Sequence, residues 1–211
     1  MNNCGVLLLV KVLHKNRGET CMILFHASQI PNIQELKPHI SNHHIPLIYF
    51  SSKRENTLVY LSNAIEKYCK ETGFEHHGRW HKWATYGFTK DKILHLQEYY
   101  PNATERTYQG VSGYIYYIHI VNCMDTFTKM AEIPDAYSSR TNVMVSGMEY
   151  IPDAYEEIMQ AVDNGRIVLT RYADLSAEQL QWIEKTVQTE YKQAADHPEY
   201  RYFLEKHFKI H

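Results

Sequence analysis

Residues 21–28, CMILFHAS, and residues 46–52, PLIYFSS, are the two stretches that decide the fold. Each is a short run of apolar and aromatic side chains that ends in small, mostly hydroxyl-bearing residues. This pattern is typical of a buried β-strand that runs out into a loop. The connection between them contains Pro31 and Pro38, which predict a loop because proline lacks the backbone N–H that strands and helices use. We therefore expect two short strands whose ends lie at a common pocket.

The sequence after the second strand predicts a helix over residues 53–72. Ser52 stands three residues before Glu55, which is the spacing of a helix capping box. Apolar residues then recur at helical spacing, and Gly73 lies where a helix commonly ends. The periodic positions are Leu58, Leu61, Ile65 and Tyr68.

The rest of the chain alternates strand and helix signals. Residues 80–88, 93–100, 112–122, 130–137, 143–150 and 167–172 predict strands, and residues 101–110 predict a short helix or turn. Asp153 and Ser176, each followed three residues later by Glu or Gln, predict two further helices, and Pro198 is expected to end the second. We predict a single α+β domain over residues 21–211, with a C-terminal helical extension from about residue 176. Residues 1–20 are interpreted as a leader or appendage, either an edge strand or disordered.

Composition excludes several classes of protein and of partner. The 211 residues are 44% hydrophobic and 22% charged, which is ordinary globular usage and excludes a disordered, collagenous or coiled-coil chain. A net charge of −2 gives no basic field that would attract nucleic acid. No apolar run approaches the roughly 20 residues that span a bilayer. The four cysteines form no Cys-x-x-Cys pair, so we expect reduced thiols in a soluble, cytoplasmic protein without a membrane partner.

Histidines are abundant, and two clusters raise the question of a metal site. Three imidazoles with a carboxylate are a common zinc ligand set, which leaves a metal-dependent hydrolase as one hypothesis. The clusters are His39, His43 and His44, and then Glu75, His76, His77 and His81. Gly78 interrupts the second cluster, so its rings are not expected to share a helix face. Solvated loop histidines are the interpretation that we favour, and no metal is expected.

Three residues at predicted strand ends carry a family resemblance. His26 ends the first strand, Tyr49 lies near the end of the second, and Glu149 lies at the end of a late strand. This order resembles the His-Tyr-Glu arrangement of the ADP-ribosyltransferase fold, as found in small bacterial members. The resemblance covers roughly residues 21–155 as a pattern. Glu132, at the end of another predicted strand, is a rival to Glu149 for the third position.

The resemblance implies a split antiparallel sheet with flanking helices and a cleft that holds NAD as the substrate. His26 would hydrogen-bond the ribose next to nicotinamide, and Tyr49 would stack on the nicotinamide ring. Ser28 and Ser51 would also contact the cofactor. Glu149 would contact the ribose 2′-hydroxyl and stabilise the cationic sugar that forms as the bond breaks.

The expected function is therefore NAD-dependent ADP-ribosyl transfer or NAD glycohydrolysis. Two alternatives stay open beside it. One is a noncatalytic nucleotide- or protein-binding module of the same fold, and the other is the metal-dependent hydrolase. The sequence indicates neither an acceptor nor an oligomeric state.

Overall fold

The computed structural model describes residues 21–40, 45–62, 84–121, 124–208 and 210. The chain is a mixed α+β protein with antiparallel sheets and several helices. The strands are β1 (Cys21–Ser28), β2 (Glu35–Leu36), β3 (His39–Ile40), β4 (Pro46–Ser51), β5 (Ala84–Phe88), β6 (Leu94–Glu98), β7 (Gly113–Val121), β8 (Thr128–Lys129), β9 (Ala136–Ser139), β10 (Val143–Met144), β11 (Gly147–Ile151) and β12 (Ile167–Thr170). The α-helices are α1 (Ala103–Tyr108), α2 (Ala154–Asp163), α3 (Ala177–Gln193) and α4 (Pro198–His207), and 3₁₀ helices cover Glu55–Tyr60, Met124–Thr126 and Tyr172–Asp174.

The main sheet runs in the order β11-β7-β1-β4-β9-β8, with β3 beside β4. β1 pairs with β7 along its whole length, from Cys21 opposite Val121 to Ser28 opposite Tyr114. Its pairing with β4 on the other side is a single register pair, Phe25 opposite Ser51, in the described part of the chain. β1 and β4 therefore diverge beyond this pair, and the sheet opens between them.

A second sheet, in the order β12-β6-β5, lies outside the main sheet. The main sheet is antiparallel, as predicted, whereas in the second sheet β5 and β6 are antiparallel but β6 and β12 are parallel. Parallel pairing is possible here because the connection from β6 to β12 is long and includes α1, the strands β7 to β11 and α2.

The carboxylate of Glu98 fixes the end of β6. Its side chain is 2% exposed and accepts hydrogen bonds from the backbone N–H groups of Thr104, at 3.1 Å, and Tyr172, at 3.2 Å. Arg171 lies 3.4 Å from the same carboxylate. A buried charge is tolerated only with such partners, so Glu98 ties β6 to α1 and to the segment after β12.

Two hydrophobic clusters lie on opposite faces of the main sheet because successive side chains of a strand alternate in direction. Leu24, Ile48, Phe50 and Ile118 belong to the smaller cluster. The larger cluster includes Ile115 and draws buried residues from both C-terminal helices, namely Ile183, Val187, Tyr200, Phe203 and Leu204. Within the described residues, none of the helices combines the length and the apolar character needed to cross a membrane.

The predicted helix over residues 53–72 is wrong in its described part. Glu55–Tyr60 forms a 3₁₀ helix, and residues 63–72 of the predicted helix lie outside the described residues. The predicted Ser52 capping box does not form, because Arg54 is the N-cap residue and makes no side-chain capping bond. The backbone N–H of Ser52 instead donates to the carbonyl oxygen of Asp135 at 2.8 Å.

Two later predictions are corrected in the same way. Residues 130–137 were expected to be a strand, but β9 begins only at Ala136, after a turn in which Asp135 has a φ of 58°. Pro198 was expected to end the last helix, but α3 ends at Gln193 and Pro198 opens α4. Proline suits the first turn of a helix, where its missing N–H costs no hydrogen bond. The capping box of Ser176 and Gln179 is confirmed.

The first prediction concerns the stability contributed by α3. Ile183 is 4% exposed and packs in the larger cluster, so Ile183→Ala should lower the free energy of unfolding by roughly 2–5 kcal/mol. Ser176→Ala removes one capping bond and should cost about 1 kcal/mol. Denaturant unfolding measures both values. Equal small losses would show that α3 is not packed on the sheets.

Candidate functional site

A cleft of about 620 Å³ lies where β1 and β4 diverge. β1 and the residues just after it form one side, and β4 with the inner face of the 3₁₀ helix Glu55–Tyr60 forms another. β5 and β6 contribute Tyr86, Phe88 and Leu94, and the turn before β9 contributes Ile133 and Pro134. This volume is within the range of roughly 300–1,000 Å³ that is typical of small-molecule sites.

The imidazole of His26 bridges the opening between the two strands. Its Nδ1 lies 2.8 Å from the carbonyl oxygen of Tyr49. Because a carbonyl oxygen only accepts, Nδ1 must carry the proton and donate, which leaves Nε2 of the neutral ring as an acceptor. Burial lowers the pKa of His26 below 6.5 and nearby His39 lowers it further, against the opposing effect of the Tyr49 carbonyl. His26 is therefore a neutral residue of fixed tautomer at neutral pH.

The four residues predicted to contact a cofactor lie in this cleft together. His26, Ser28, Tyr49 and Ser51 all line it. The hydroxyl oxygen of Ser28 accepts from the backbone N–H of Ile30 at 3.2 Å, and that of Ser51 accepts from Lys53 at 3.1 Å. Because a hydroxyl also carries its own hydrogen, both serines keep the chemistry of a donor while their oxygens fix the local turns.

Aromatic rings form much of the remaining wall. Tyr60, Tyr86 and Phe88 join Tyr49 in lining the cleft. The rings of Tyr60 and Tyr86 meet edge to face with their centroids 6.1 Å apart. Tyr60 is 50% exposed, so this pair lies at the mouth of the cleft. Flat rings of this kind offer stacking surfaces to a flat ligand.

Asn56 is a cleft residue that sequence reasoning missed. It lines the cleft from the 3₁₀ helix and is only 6% exposed. In the described part of the chain, neither its amide nitrogen nor its amide oxygen has a hydrogen-bond partner. Its neighbour Thr57 also lines the cleft, but the Thr57 hydroxyl donates to the carbonyl oxygen of Arg54 at 2.7 Å. The helix predicted over residues 53–72 gave no signal that residue 56 would be buried.

Glu149 lies on β11 and is not among the residues that line the cleft. Glu149 on β11 is opposite Ile115 on β7, and Ile115 is opposite Ala27 on β1. Phe25, two residues before Ala27 on β1, is opposite Ser51 on β4. Directly opposed residues share one face of a sheet, so Glu149 and Ser51 lie on the same face. β11 and β4 are three strand spacings apart, which is roughly 14 Å. The structure thus brings His26 and Tyr49 together but places Glu149 beyond β7 and β1.

Arg54 forms a bidentate ion pair with the carboxylate of Glu149. The guanidinium donates from Nε and Nη2 to the two carboxylate oxygens, each at 2.7 Å, and from Nη2 to Glu157 of α2 at 2.8 Å. The side chains of Arg54, Glu149 and Glu157 are 25%, 48% and 27% exposed. The hydrogen bonds to Glu149 are the largest cause of a raised pKa at Arg54, so the guanidinium stays charged. Sequence reasoning did not identify this arginine.

Glu132, the rival to Glu149, lies in the exposed turn between β8 and β9. The two residues that follow it, Ile133 and Pro134, line the cleft. The backbone of this turn is tied to the other rim, since Asp135 accepts from Ser52 and its side chain lies 3.0 Å from Lys53. Glu132 is therefore a rim residue by position, although its predicted strand is absent.

The metal-site hypothesis falls mostly outside the described residues. His43, His44, Glu75, His76, His77 and His81 are among the residues that the structure does not describe. His39 is described and lines the cleft. The described ranges contain no group of three or more metal-ligating side chains. The metal-dependent hydrolase stays a prediction.

Comparison of the chain with protein-family models, with curated proteins and with solved structures found no match. We therefore infer function from the geometry of the cleft and from the resemblance carried by its residues.

The second prediction uses the lowered pKa of His26. Above about pH 6.5 the ring is neutral in both the folded and the unfolded chain. As the pH falls below 6.5, the unfolded chain binds a proton that the fold excludes, so the free energy of unfolding decreases until the folded pKa is passed. His26→Asn retains an N–H for the Tyr49 carbonyl but does not titrate. We expect the wild type to lose stability more steeply than this variant below about pH 6.5.

Denaturant unfolding at several pH values measures this difference. Burial also lowers the pKa of His207, to about 4, but that residue is present in both proteins and its effect cancels. Parallel stability curves for wild type and His26→Asn would contradict the assignment of a half-buried, neutral His26.

Proposed function

We propose that this protein binds NAD in the cleft between β1 and β4 and cleaves its nicotinamide–ribose bond, by ADP-ribosyl transfer or by glycohydrolysis. The observation that carries the proposal is the convergence of His26, Ser28, Tyr49 and Ser51 on one cleft. The sequence pattern singled out these residues because they resemble a cofactor site. They come from β1 and β4, two segments that the sequence did not require to line one cleft. The divergence of β1 from β4 supports the split sheet that the same resemblance implies.

Binding follows from the chemistry of the walls. Nε2 of His26 accepts a hydrogen bond from a ribose hydroxyl, because Nδ1 is committed to the Tyr49 carbonyl. Tyr49 stacks on the nicotinamide ring, and Tyr60, Tyr86 and Phe88 supply further flat surfaces for the planar groups of NAD. The hydroxyls of Ser28 and Ser51 donate to the sugar or phosphate oxygens.

The reaction breaks the bond between the anomeric ribose carbon and the nicotinamide nitrogen. The bonding electron pair leaves with nicotinamide, and the ribose carbon becomes cationic until a nucleophile attacks it. The nucleophile is water in glycohydrolysis, or an acceptor group in transfer, and it loses a proton in the process. Glu149 stabilises the cationic sugar in this proposal, because a carboxylate gains interaction energy as the positive charge develops.

Arg54 sets a condition on this role. Its guanidinium neutralises Glu149 in the structure, so it must release the carboxylate before Glu149 faces a cationic sugar. The diphosphate of NAD is a suitable exchange partner, since phosphate oxygens accept the same bidentate hydrogen bonds from arginine. Binding of the substrate would in this way free the catalytic carboxylate.

The ion pair also favours a second candidate function. A noncatalytic nucleotide-binding module of the same fold needs the cleft but does not need a free carboxylate. The placement of Glu149 outside the cleft, paired with Arg54, is the observation in its favour. The two functions share a ligand and differ in whether nicotinamide is released.

The third prediction tests binding. Titration calorimetry should detect NAD binding by the wild type at millimolar ligand or below. Tyr49→Ala should weaken it by about 1 kcal/mol or more through lost stacking, and His26→Ala should weaken it through the lost ribose contact. Tyr202→Ala, which removes a 46%-exposed tyrosine from α4, is the control and should bind like wild type. Undetectable binding by the wild type would overturn the proposal.

The fourth prediction tests catalysis. Glu149→Gln keeps the shape and a hydrogen-bond acceptor for Arg54 but removes the negative charge. It should lower kcat for nicotinamide release on the order of a hundredfold or more with NAD affinity nearly unchanged. Glu132→Gln tests the rival carboxylate, and Glu156→Gln on the exposed side of α2 is the matched control.

The outcome separates the two candidate functions. If Glu132→Gln carries the loss, the third catalytic position moves to the turn before β9. If the wild type binds NAD but releases no nicotinamide, the noncatalytic module becomes the better account.

A further inference from the structure

The amide of Asn56 is the feature of the cleft that the proposed function does not yet use. Its Nδ2 and Oδ1 have no hydrogen-bond partner within the described residues, although the side chain is 6% exposed. Thr104 and Tyr108 are the other described residues with such atoms, and neither lines the cleft. Burying an amide with both groups unpaired costs free energy that a matched ligand group would recover.

The surroundings of Asn56 show that this residue belongs to the wall of the cleft and not to the hydrophobic cluster. Leu58, Val59 and Leu61, on the same short segment, pack in the larger hydrophobic cluster, whereas Asn56 and Thr57 line the cleft. Thr57 satisfies its hydroxyl within the segment, by donating to Arg54. Asn56 therefore holds an unpaired amide nitrogen and an unpaired amide oxygen in the wall of the cleft, each with almost no solvent-exposed surface.

We propose that Asn56 is the residue that recognises the ligand, by pairing with a planar group that offers one hydrogen-bond donor beside one acceptor. This inference rests on the proposed binding of NAD. Two parts of NAD have this chemistry: the carboxamide of nicotinamide, and the adenine edge with its exocyclic amine and ring nitrogen. An asparagine amide forms two parallel hydrogen bonds with either one. Asn56 thus determines specificity and does not take part in bond cleavage.

The test begins with the wild-type protein and three ligands. NAD is compared by calorimetry with its nicotinate analogue, in which a carboxylate replaces the carboxamide, and with its purine analogue, in which a hydrogen atom replaces the adenine amine. Each analogue removes the donor from one of the two groups. We expect one analogue to bind at least tenfold more weakly than NAD, which identifies the group that Asn56 contacts.

Asn56→Leu then assigns the discrimination to this residue. Leucine has a similar size but no polar atoms, so the variant should bind NAD at least tenfold more weakly and lose the preference against the weaker analogue. The ligand-free variant should also melt at a higher temperature than wild type, because an unpaired amide is removed from a buried position. Thr107→Val, at a buried position of α1 that does not line the cleft, is the matched control. It should melt at a lower temperature, since it loses the hydrogen bond to the carbonyl oxygen of Ala103, and it should keep the ligand preference.

Several outcomes would overturn the inference. Equal affinity of the wild type for all three ligands would overturn the inference without any variant, even if Asn56→Leu fails to fold. Unchanged NAD binding by Asn56→Leu would also overturn it, but would leave the proposed function in place. A melting temperature of Asn56→Leu below that of wild type shows that the amide is structural. Absence of NAD binding by the wild type overturns both proposals, whereas selective binding without nicotinamide release overturns only the enzymatic one.

Discussion

The hydrogen bond from Nδ1 of His26 to the carbonyl oxygen of Tyr49 is the interaction on which the site depends. It spans the place where β1 and β4 stop pairing, so a side chain substitutes for a missing backbone ladder. Each strand keeps a partner on its other side, since β1 pairs with β7 and β4 pairs with β9. The opening is therefore a stable feature of the sheet, and the same bond fixes the tautomer of the histidine that faces the cleft.

One short segment connects the cleft to the carboxylate beyond it. The 3₁₀ helix and its N-cap place Asn56 and Thr57 at the cleft, while Arg54 extends to Glu149 and Glu157. A ligand that moves this segment would affect both Asn56 and the ion pair. The segment is also packed into the larger core through Leu58 and Val59, which limits how far it can move. An exchange at the Arg54 side chain is the smaller change that this arrangement allows.

The sequence predicted the two strands that matter and the residues at their ends. The apolar runs at 21–28 and 46–52 were sufficient to predict these strands, because a short apolar run that ends in small polar residues is the pattern of a buried strand. The helix after β4 could not be predicted correctly, because the Ser52 pattern for a cap was overridden by a bond to Asp135, which is distant in sequence. Arg54 gave no signal for the same reason, since its partners Glu149 and Glu157 lie on β11 and α2. Asn56 gave none because the other walls of its cleft come from β1 and the second sheet, which are distant in sequence. Chain order alone also left the distance between Glu149 and the cleft undetermined.

We propose that His26 organises a ligand site in the opening between β1 and β4. A crystal structure of the protein with bound ADP-ribose checks this role, because this fragment retains the ribose and cannot be cleaved at the nicotinamide bond. We expect the ligand to lie between β1 and β4, with a ribose hydroxyl within about 3.2 Å of Nε2 of His26 and with Nδ1 still donating to the Tyr49 carbonyl. A ligand bound elsewhere, or a His26 ring turned out of the cleft, would show that His26 does not organise a ligand site.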